Sequence, residues 1–224
     1  MVLTGMSQAG EAAVVGRRER KKLVTRAAIR QAALRLALRH GVENITVEQI
    51  AVEADIATRT FFNYFSGKEE AVAAAAAAGA EALIAGFRAR PATESVLRAL
   101  RQAALALIDH DAATSRDYIR AIQLIRRTPS LLPHELAVLA AQEKALADAI
   151  TDRLQPGAGP AVTDIYPALC AATALTALRV VLGRWLEHAG PDETPPMAIL
   201  RREIDHAIAD LAAGLDRPGV TPAP

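Results

Sequence analysis

Apolar residues recur at helical spacing through most of the chain, and the breaks between these runs mark where one predicted element gives way to the next. Ile29, Ala33 and Leu36 predict a first helix over residues 23–40, with Gly41 where a C-terminal cap belongs. Thr46 stands where a hydroxyl caps a helix start, and Val47, Ile50, Ala51 and Ala54 follow on one stripe. The pattern halts at Asp55-Ile56-Ala57 and restarts at Thr58, so a turn of a few residues separates two short helices, the spacing of a helix-turn-helix. In the second of these, Phe61 and Phe65 lie one i,i+4 step apart and predict an anchored inner face, with Thr58, Arg59 and Asn63 on the open side. Ser66 as cap, with Glu69 and Glu70 in the first turn, then starts a long alanine-rich helix that Pro91 ends.

Beyond Pro91 the spacing predicts helices over about residues 93–109, 115–127, 133–154, 163–188 and 196–215, parted by turn-rich stretches at 128–130, 156–160 and 190–195. Pro167 falls in a first turn, where its missing N–H costs little. The apolar run at 168–182 is broken by Thr173, Thr176 and Arg179, which favours a buried helix over a membrane span. No internal repeat is visible.

Composition narrows the class. The chain is 51% hydrophobic yet only 4% aromatic, with alanine and leucine supplying most of the apolar total, so an all-α protein is expected. The single Cys170 excludes an intrachain disulfide framework and a CxxC zinc site, in keeping with a cytoplasmic protein. Residues 1–16 lack the charged start and continuous apolar stretch of a signal peptide. The net charge of +1 conceals an asymmetry: residues 17–68 hold eleven Lys/Arg against five Asp/Glu, and the remainder holds fifteen against twenty. A basic N-terminal part fits a polyanion, whereas an acidic remainder has no reason to lie on one. The expected organisation is a disordered basic arm at 1–22 containing Arg17-Arg18-Glu19-Arg20-Lys21-Lys22, a helix-turn-helix domain at 23–67, a helical domain at 68–215 and a flexible tail at 216–224.

The stretch Ile45-Thr46-Val47-Glu48-Gln49-Ile50-Ala51, the short turn, and Thr60-Phe61-Phe62-Asn63-Tyr64-Phe65-Ser66-Gly67-Lys68-Glu69 together resemble the DNA-binding signature of the TetR family of bacterial repressors. The resemblance covers about residues 25–71; over the rest of the chain it is one of architecture. It implies a homodimer that binds double-stranded operator DNA and senses a small molecule with its larger domain. An isolated arginine on a helix is ordinarily a solvated charge, but Arg59 occupies a defined place in this motif and can bond both guanine O6 and N7. Thr58 and Asn63 are further candidates for base contact. Thr60, Tyr64 and Lys68 lie where the family contacts the DNA backbone, and Thr46 joins them at a helix N-terminus. The arm at 17–22 is expected to touch a phosphate or the minor groove.

Several positions depart from the family pattern. Asp55 replaces a usual glycine, but Asp tolerates a left-handed conformation. Ala57 replaces a serine cap, so Thr58 is expected to cap in its place at the expense of base contact. Phe62 replaces a tyrosine and cannot donate a hydrogen bond, which leaves Tyr64 more of the phosphate contact. Ala37 stands where a phenylalanine is common, with Phe61 and Phe62 expected to make up the volume.

The last two helices resemble the pair that forms the family's four-helix dimer interface, with Leu175, Leu178, Leu182 and Trp185 on one and Ile204, Ile208 and Leu211 on the other. Tyr118, Gln123, Tyr166, Cys170 and Thr173 are candidate polar groups of a mostly apolar ligand pocket, though each residue type is more often an ordinary core or surface residue. No cofactor or metal is implied: the five histidines, His40, His110, His134, His188 and His206, show no HExxH spacing, and no Gly-rich phosphate loop or nucleophile elbow occurs. The expectation is therefore a DNA-binding regulator rather than an enzyme, most simply a repressor released by a ligand. The alternatives are a ligand-free dimeric DNA-binding protein and a helical-bundle enzyme.

Overall fold

A computed structural model describes the backbone of residues 5–110, 112–154, 165–188 and 195–214, and the side chains within these ranges except at 5–15, 17, 19, 110 and 112–118. The expected tail at 216–224, the turns at 156–160 and 190–194, and the side chain of Tyr118 lie outside the described residues. Among those described, every regular element is a helix: α1 Gly5–His40, α2 Val47–Glu53, α3 Thr58–Phe62, α4 Lys68–Ala73, α5 Ala77–Ala89, α6 Val96–His110, α7 Ala112–Arg127, α8 Leu132–Arg153, α9 Tyr166–Glu187 and α10 Met197–Ala213. The structure departs from the expected elements at two places. The basic arm is not disordered, because α1 runs unbroken from Gly5 through Arg17–Lys22 to His40. The single helix expected from Ser66 to about Arg90 is divided by a 3-10 turn at Ala74–Ala76, within a run of alanines whose methyl groups specify little about the exact helical winding.

The chain forms two compact units, Met1–Ala76 with Arg120–Glu135, and Ala77–Ile119 with Leu136–Pro224. The first unit is therefore not closed at residue 67, because Arg120–Glu135 returns to it from later in the chain. Its core gathers Ile29, Ala33, Leu36 and Ala37 of α1, Ile50 of α2, Phe61 and Phe65, and Val72 of α4, and the returning segment adds Ile125 and Leu131. Each large side chain buried this way contributes roughly 1.5–3 kcal/mol. Gly41, at φ 80°, ends α1 and donates its N–H to Ala37 O, as its position in the sequence implies.

In the second unit, α10 is tied to α6 by Arg101 Nε donating to Asp205 Oδ1 at 2.9 Å and by the pair Arg201 and Asp109. Arg153 closes the C-terminal end of α5, lying over the Phe87 ring and donating to the carbonyls of Arg90, Pro91 and Glu94. Gly86 permits a close approach of α5 to α6, since a Cβ there would stand 3.3 Å from the Ala103 methyl.

Candidate nucleic-acid interface

The short helices of the first unit are positioned by local chemistry. Thr46 Oγ1 accepts from the Gln49 amide, and Gln49 Oε1 accepts from the Thr46 amide at 2.8 Å, a reciprocal capping box that fixes where α2 begins. Gln49 is the half of this pair not singled out beforehand, although the Thr-x-x-Gln spacing is its signal. Two arginines on α1 hold the far end of α2: Arg35 Nε donates to Glu53 Oε1 at 2.9 Å and Arg39 Nη2 to the same oxygen at 3.3 Å. The Arg35 bond is the main reason that the Glu53 carboxyl lies below its ordinary range, burial opposing it.

Asp55 takes φ 54° in the turn, so the departure from glycine is accommodated in the left-handed region as expected. The chain re-enters a helix at Thr58 with Ala57 as N-cap and no side-chain cap bond. Thr58 does not take over the capping role, which removes the objection to its use in base contact. α3 is one short turn of five residues, with Asn63 and Tyr64 in the turn that follows.

Its inner side is set by Phe61, fully buried, and Phe65, with ring centroids 5.9 Å apart. The guanidinium of Arg26 lies 5.1 Å above the Phe65 ring and covers it from α1. On the outer side Arg59 and Asn63 are exposed, with Thr58 and Thr60 half-buried beside them. No hydrogen bond or ion pair engages Arg59 among the described residues, so its donors are available. Tyr64 is half-buried against the core, leaving its outer edge uncovered. Phe62 does not compensate for Ala37: it is 57% exposed, while Ala37 is buried against Phe61 and its neighbours.

Lys68 is placed differently from the expectation. Its Nζ donates to Glu43 O at 3.1 Å and Ile45 O at 3.0 Å and lies 4.0 Å from the Glu69 carboxylate. An ammonium has three N–H groups, and here two end on the backbone just before α2 while the charge is partly balanced. It fastens the start of α4 to that backbone, with two of its donors turned to these carbonyls. Ser66 also differs: Gly67 is the N-cap of α4, and the Ser66 amide and hydroxyl both donate to Glu70 Oε2 at 2.7 Å. Burial pushes the Glu70 carboxyl up, but these two bonds and the charge of Arg26 bring it below its ordinary value.

The remaining candidates divide between the units. Gln123 belongs to the first, half-buried, while Tyr166, Cys170 and Thr173 succeed one another along α9 in the second. Burial is the main cause raising the Tyr166 phenol and the Cys170 thiol above their ordinary values. Thr173 Oγ1 donates to Leu169 O at 2.7 Å.

Of the expected interface residues, Trp185, Ile204 and Ile208 are buried inside their own unit, and the Trp185 indole donates to Pro196 O. These three are covered within a single chain, Ile204 and Ile208 keeping 6% and 4% of their surface exposed. Leu175, Leu178, Leu182 and Leu211 are half-buried. The uncovered side of α9 carries Leu169 and Val180, with Ile165 at its N-cap, each more than half exposed, and Thr173 and Thr176 between them. The run at 168–182 is thus not the buried helix expected from sequence: only 17% of the most apolar stretch of α9 is covered. By length and composition alone, α9 and the Lys68–Ala89 segment could each cross a membrane.

A capped helix, a left-handed turn and a second short helix with an uncommitted arginine define a helix-turn-helix DNA-binding protein. Residues 29–75 match the family described as bacterial regulatory proteins, tetR family, and residues 94–216 match the MftR C-terminal domain. The HTH-type transcriptional regulator TcmR of Streptomyces glaucescens is 31% identical over 211 residues, covering 91% of this chain and 92% of that protein. The fold is similar to that of the Thermus thermophilus repressor FadR solved with lauroyl-CoA (TM-score 0.54, 22% identity, 89% of this chain and 98% of that one). It is also similar to the fatty acid degradation regulator FadR from Bacillus halodurans (TM-score 0.54, 17% identity, 86% and 97%). The chain belongs to the TetR family of bacterial regulatory proteins and is a DNA-binding transcriptional regulator, not an enzyme.

Proposed function

We propose that this regulator is a homodimeric repressor that binds operator DNA through α3 and is released when a small molecule occupies the second unit. The observation that carries the DNA contact is the split character of α3: Phe61 is sunk in the core while Arg59 and Asn63 stand in solvent on the outer side. Arg59 is assigned to direct base readout, with Thr58 and Asn63 beside it and Thr60, Tyr64 and Thr46 toward phosphates. The exposed cations Arg18, Arg20, Lys21 and Lys22 extend the basic surface along α1. With an operator as its target, the protein is assigned to the cytoplasm.

Dimerisation is assigned to the uncovered face of α9, paired with its counterpart on a second copy, so that two α3 helices meet half-sites about 34–36 Å apart. Ligand release is supported by the related fold of a repressor whose structure contains lauroyl-CoA. In this chain Tyr166, Cys170 and Thr173, on successive turns of α9, are assigned as the polar groups of such a site. A ligand favouring a conformation with misplaced α3 helices would lower operator affinity by a coupling of about 1–3 kcal/mol.

The deciding experiment is recovery of bound fragments from genomic DNA by the purified protein at stated salt concentrations. The expected result is a two-fold-symmetric motif whose affinity falls with salt. Retention of all fragments alike, with no enriched sequence, would overturn the assignment of α3 to operator reading.

A further inference from the structure

We propose that Phe62 reads the 5-methyl group of a thymine in the operator and so sets sequence specificity beside Arg59. This rests on the reading of α3 as the element that enters the major groove. Of the aromatic run, Phe61 and Phe65 are essentially inaccessible, whereas Phe62 is 57% exposed. Phe62 lies three residues after Arg59 and one before Asn63, so the three exposed side chains of this segment form one surface.

The ring is not free to turn away at will. It meets Phe61 edge to face, with centroids 5.5 Å apart and planes at 85°, and Phe61 is itself fixed in the core. An apolar side chain is thus held outward on a buried wall, next to a guanidinium and an amide. A phenyl ring has no hydrogen-bonding group and gains nothing from a phosphate oxygen or from the polar edges of guanine, cytosine or adenine. The apolar group that a base presents in the major groove is the thymine methyl, a known partner for phenylalanine. The guanidinium and amide flanking Phe62 match polar base edges on either side, which favours DNA over a second protein surface as the occupant.

The test replaces thymine by deoxyuridine, which removes the methyl and keeps every hydrogen-bonding group. Duplexes recovered by selection from a random-sequence pool are substituted one thymine at a time and titrated with the parent protein, Phe62→Ala and Phe62→Gln. At one thymine of each half-site, uracil should weaken parent binding about fourfold, the equivalent of one buried methyl. Both Phe62 variants should bind the thymine and uracil duplexes equally, while Arg59→Ala should keep the difference. Either Phe62 variant suffices if the other does not fold. A parent protein indifferent to uracil at every position, or a penalty that persists undiminished in the Phe62 variants, overturns the inference and leaves DNA binding intact. A pool that yields no preferred duplex overturns both the inference and the reading beneath it.

Discussion

Arg59 and Lys68 are both cations of the helix-turn-helix segment, and the structure places them in opposite surroundings. Arg59 has its donors free in solvent; Lys68 has already spent two of its own on the Glu43 and Ile45 carbonyls. Arg59→Ala should therefore leave the melting temperature nearly unchanged while relaxing preference at one base pair, at a cost of about 1–3 kcal/mol in operator binding. Lys68→Met should do the reverse. It removes charged hydrogen bonds to backbone and should lower the stability of the first unit by about 1–3 kcal/mol, measured by denaturant titration, with the salt dependence of DNA binding unchanged. A flattened salt dependence in Lys68→Met would show that the ammonium leaves its carbonyls for a phosphate. The outward placement of Arg59 was legible because its neighbours in the motif define it. The placement of Lys68 was not, since the carbonyls it holds lie 23 and 25 residues earlier, and residue type alone cannot tell a backbone fastener from a phosphate contact.

Among elements, α2 shows how well local chemistry can be read in advance and where the reading stops. Its start is encoded within four residues by Thr46 and Gln49, and its inner stripe by Val47, Ile50 and Ala54. Its other end depends on Glu53 meeting Arg35 and Arg39 across the gap to α1, a pairing with no local signature. The length of α1 was misread for a related reason: a cluster of cations looks like a solvated arm, yet arginine and lysine are good helix formers and continue a helix already under way. The Glu53 clamp has a consequence for pH. Its carboxyl is held below the ordinary range in the folded protein, chiefly by the Arg35 bond, so the unfolded chain takes up the proton first as pH falls. The stabilisation is fully present above the ordinary carboxylate value, shrinks as pH falls toward the folded value, and is gone below it. Melting curves through the carboxylate range should therefore show a shallower loss of stability with acid for Glu53→Gln than for the parent. Identical slopes would mean that the clamp is open in solution.

At the scale of the whole molecule, the all-α architecture and the division into a basic N-terminal part and an acidic remainder follow from composition and charge, because helical periodicity and alanine content are properties of the chain itself. Which side of a late helix faces inward is not such a property. The stripe through Leu175, Leu178, Leu182 and Trp185 and the stripe through Ile165, Leu169 and Val180 are both apolar at helical spacing, and only the packing of α10 on α9 decides that Trp185, with Ile204 and Ile208, is covered while the other stripe is not. An uncovered apolar stripe of that length is costly in water unless another surface meets it. The second copy proposed above would do so by symmetry, since the same stripe on each chain is complementary to itself across a two-fold axis. Arg179 and Arg184, exposed along the same helix, suit a protein interface with a polar margin better than a lipid interior. The double substitution Leu169→Glu with Val180→Glu places two carboxylates on surface that is 59% and 53% exposed in one chain, so the fold of each unit should persist. Across a dimer axis the same four carboxylates would face one another without partners. Sedimentation equilibrium should then find a folded monomer where the parent is a dimer. Operator affinity should collapse toward that of a single half-site even though Arg59 and Phe62 are untouched, because the paired spacing of two α3 helices is lost. A variant that stays dimeric would move the interface to another face of the second unit.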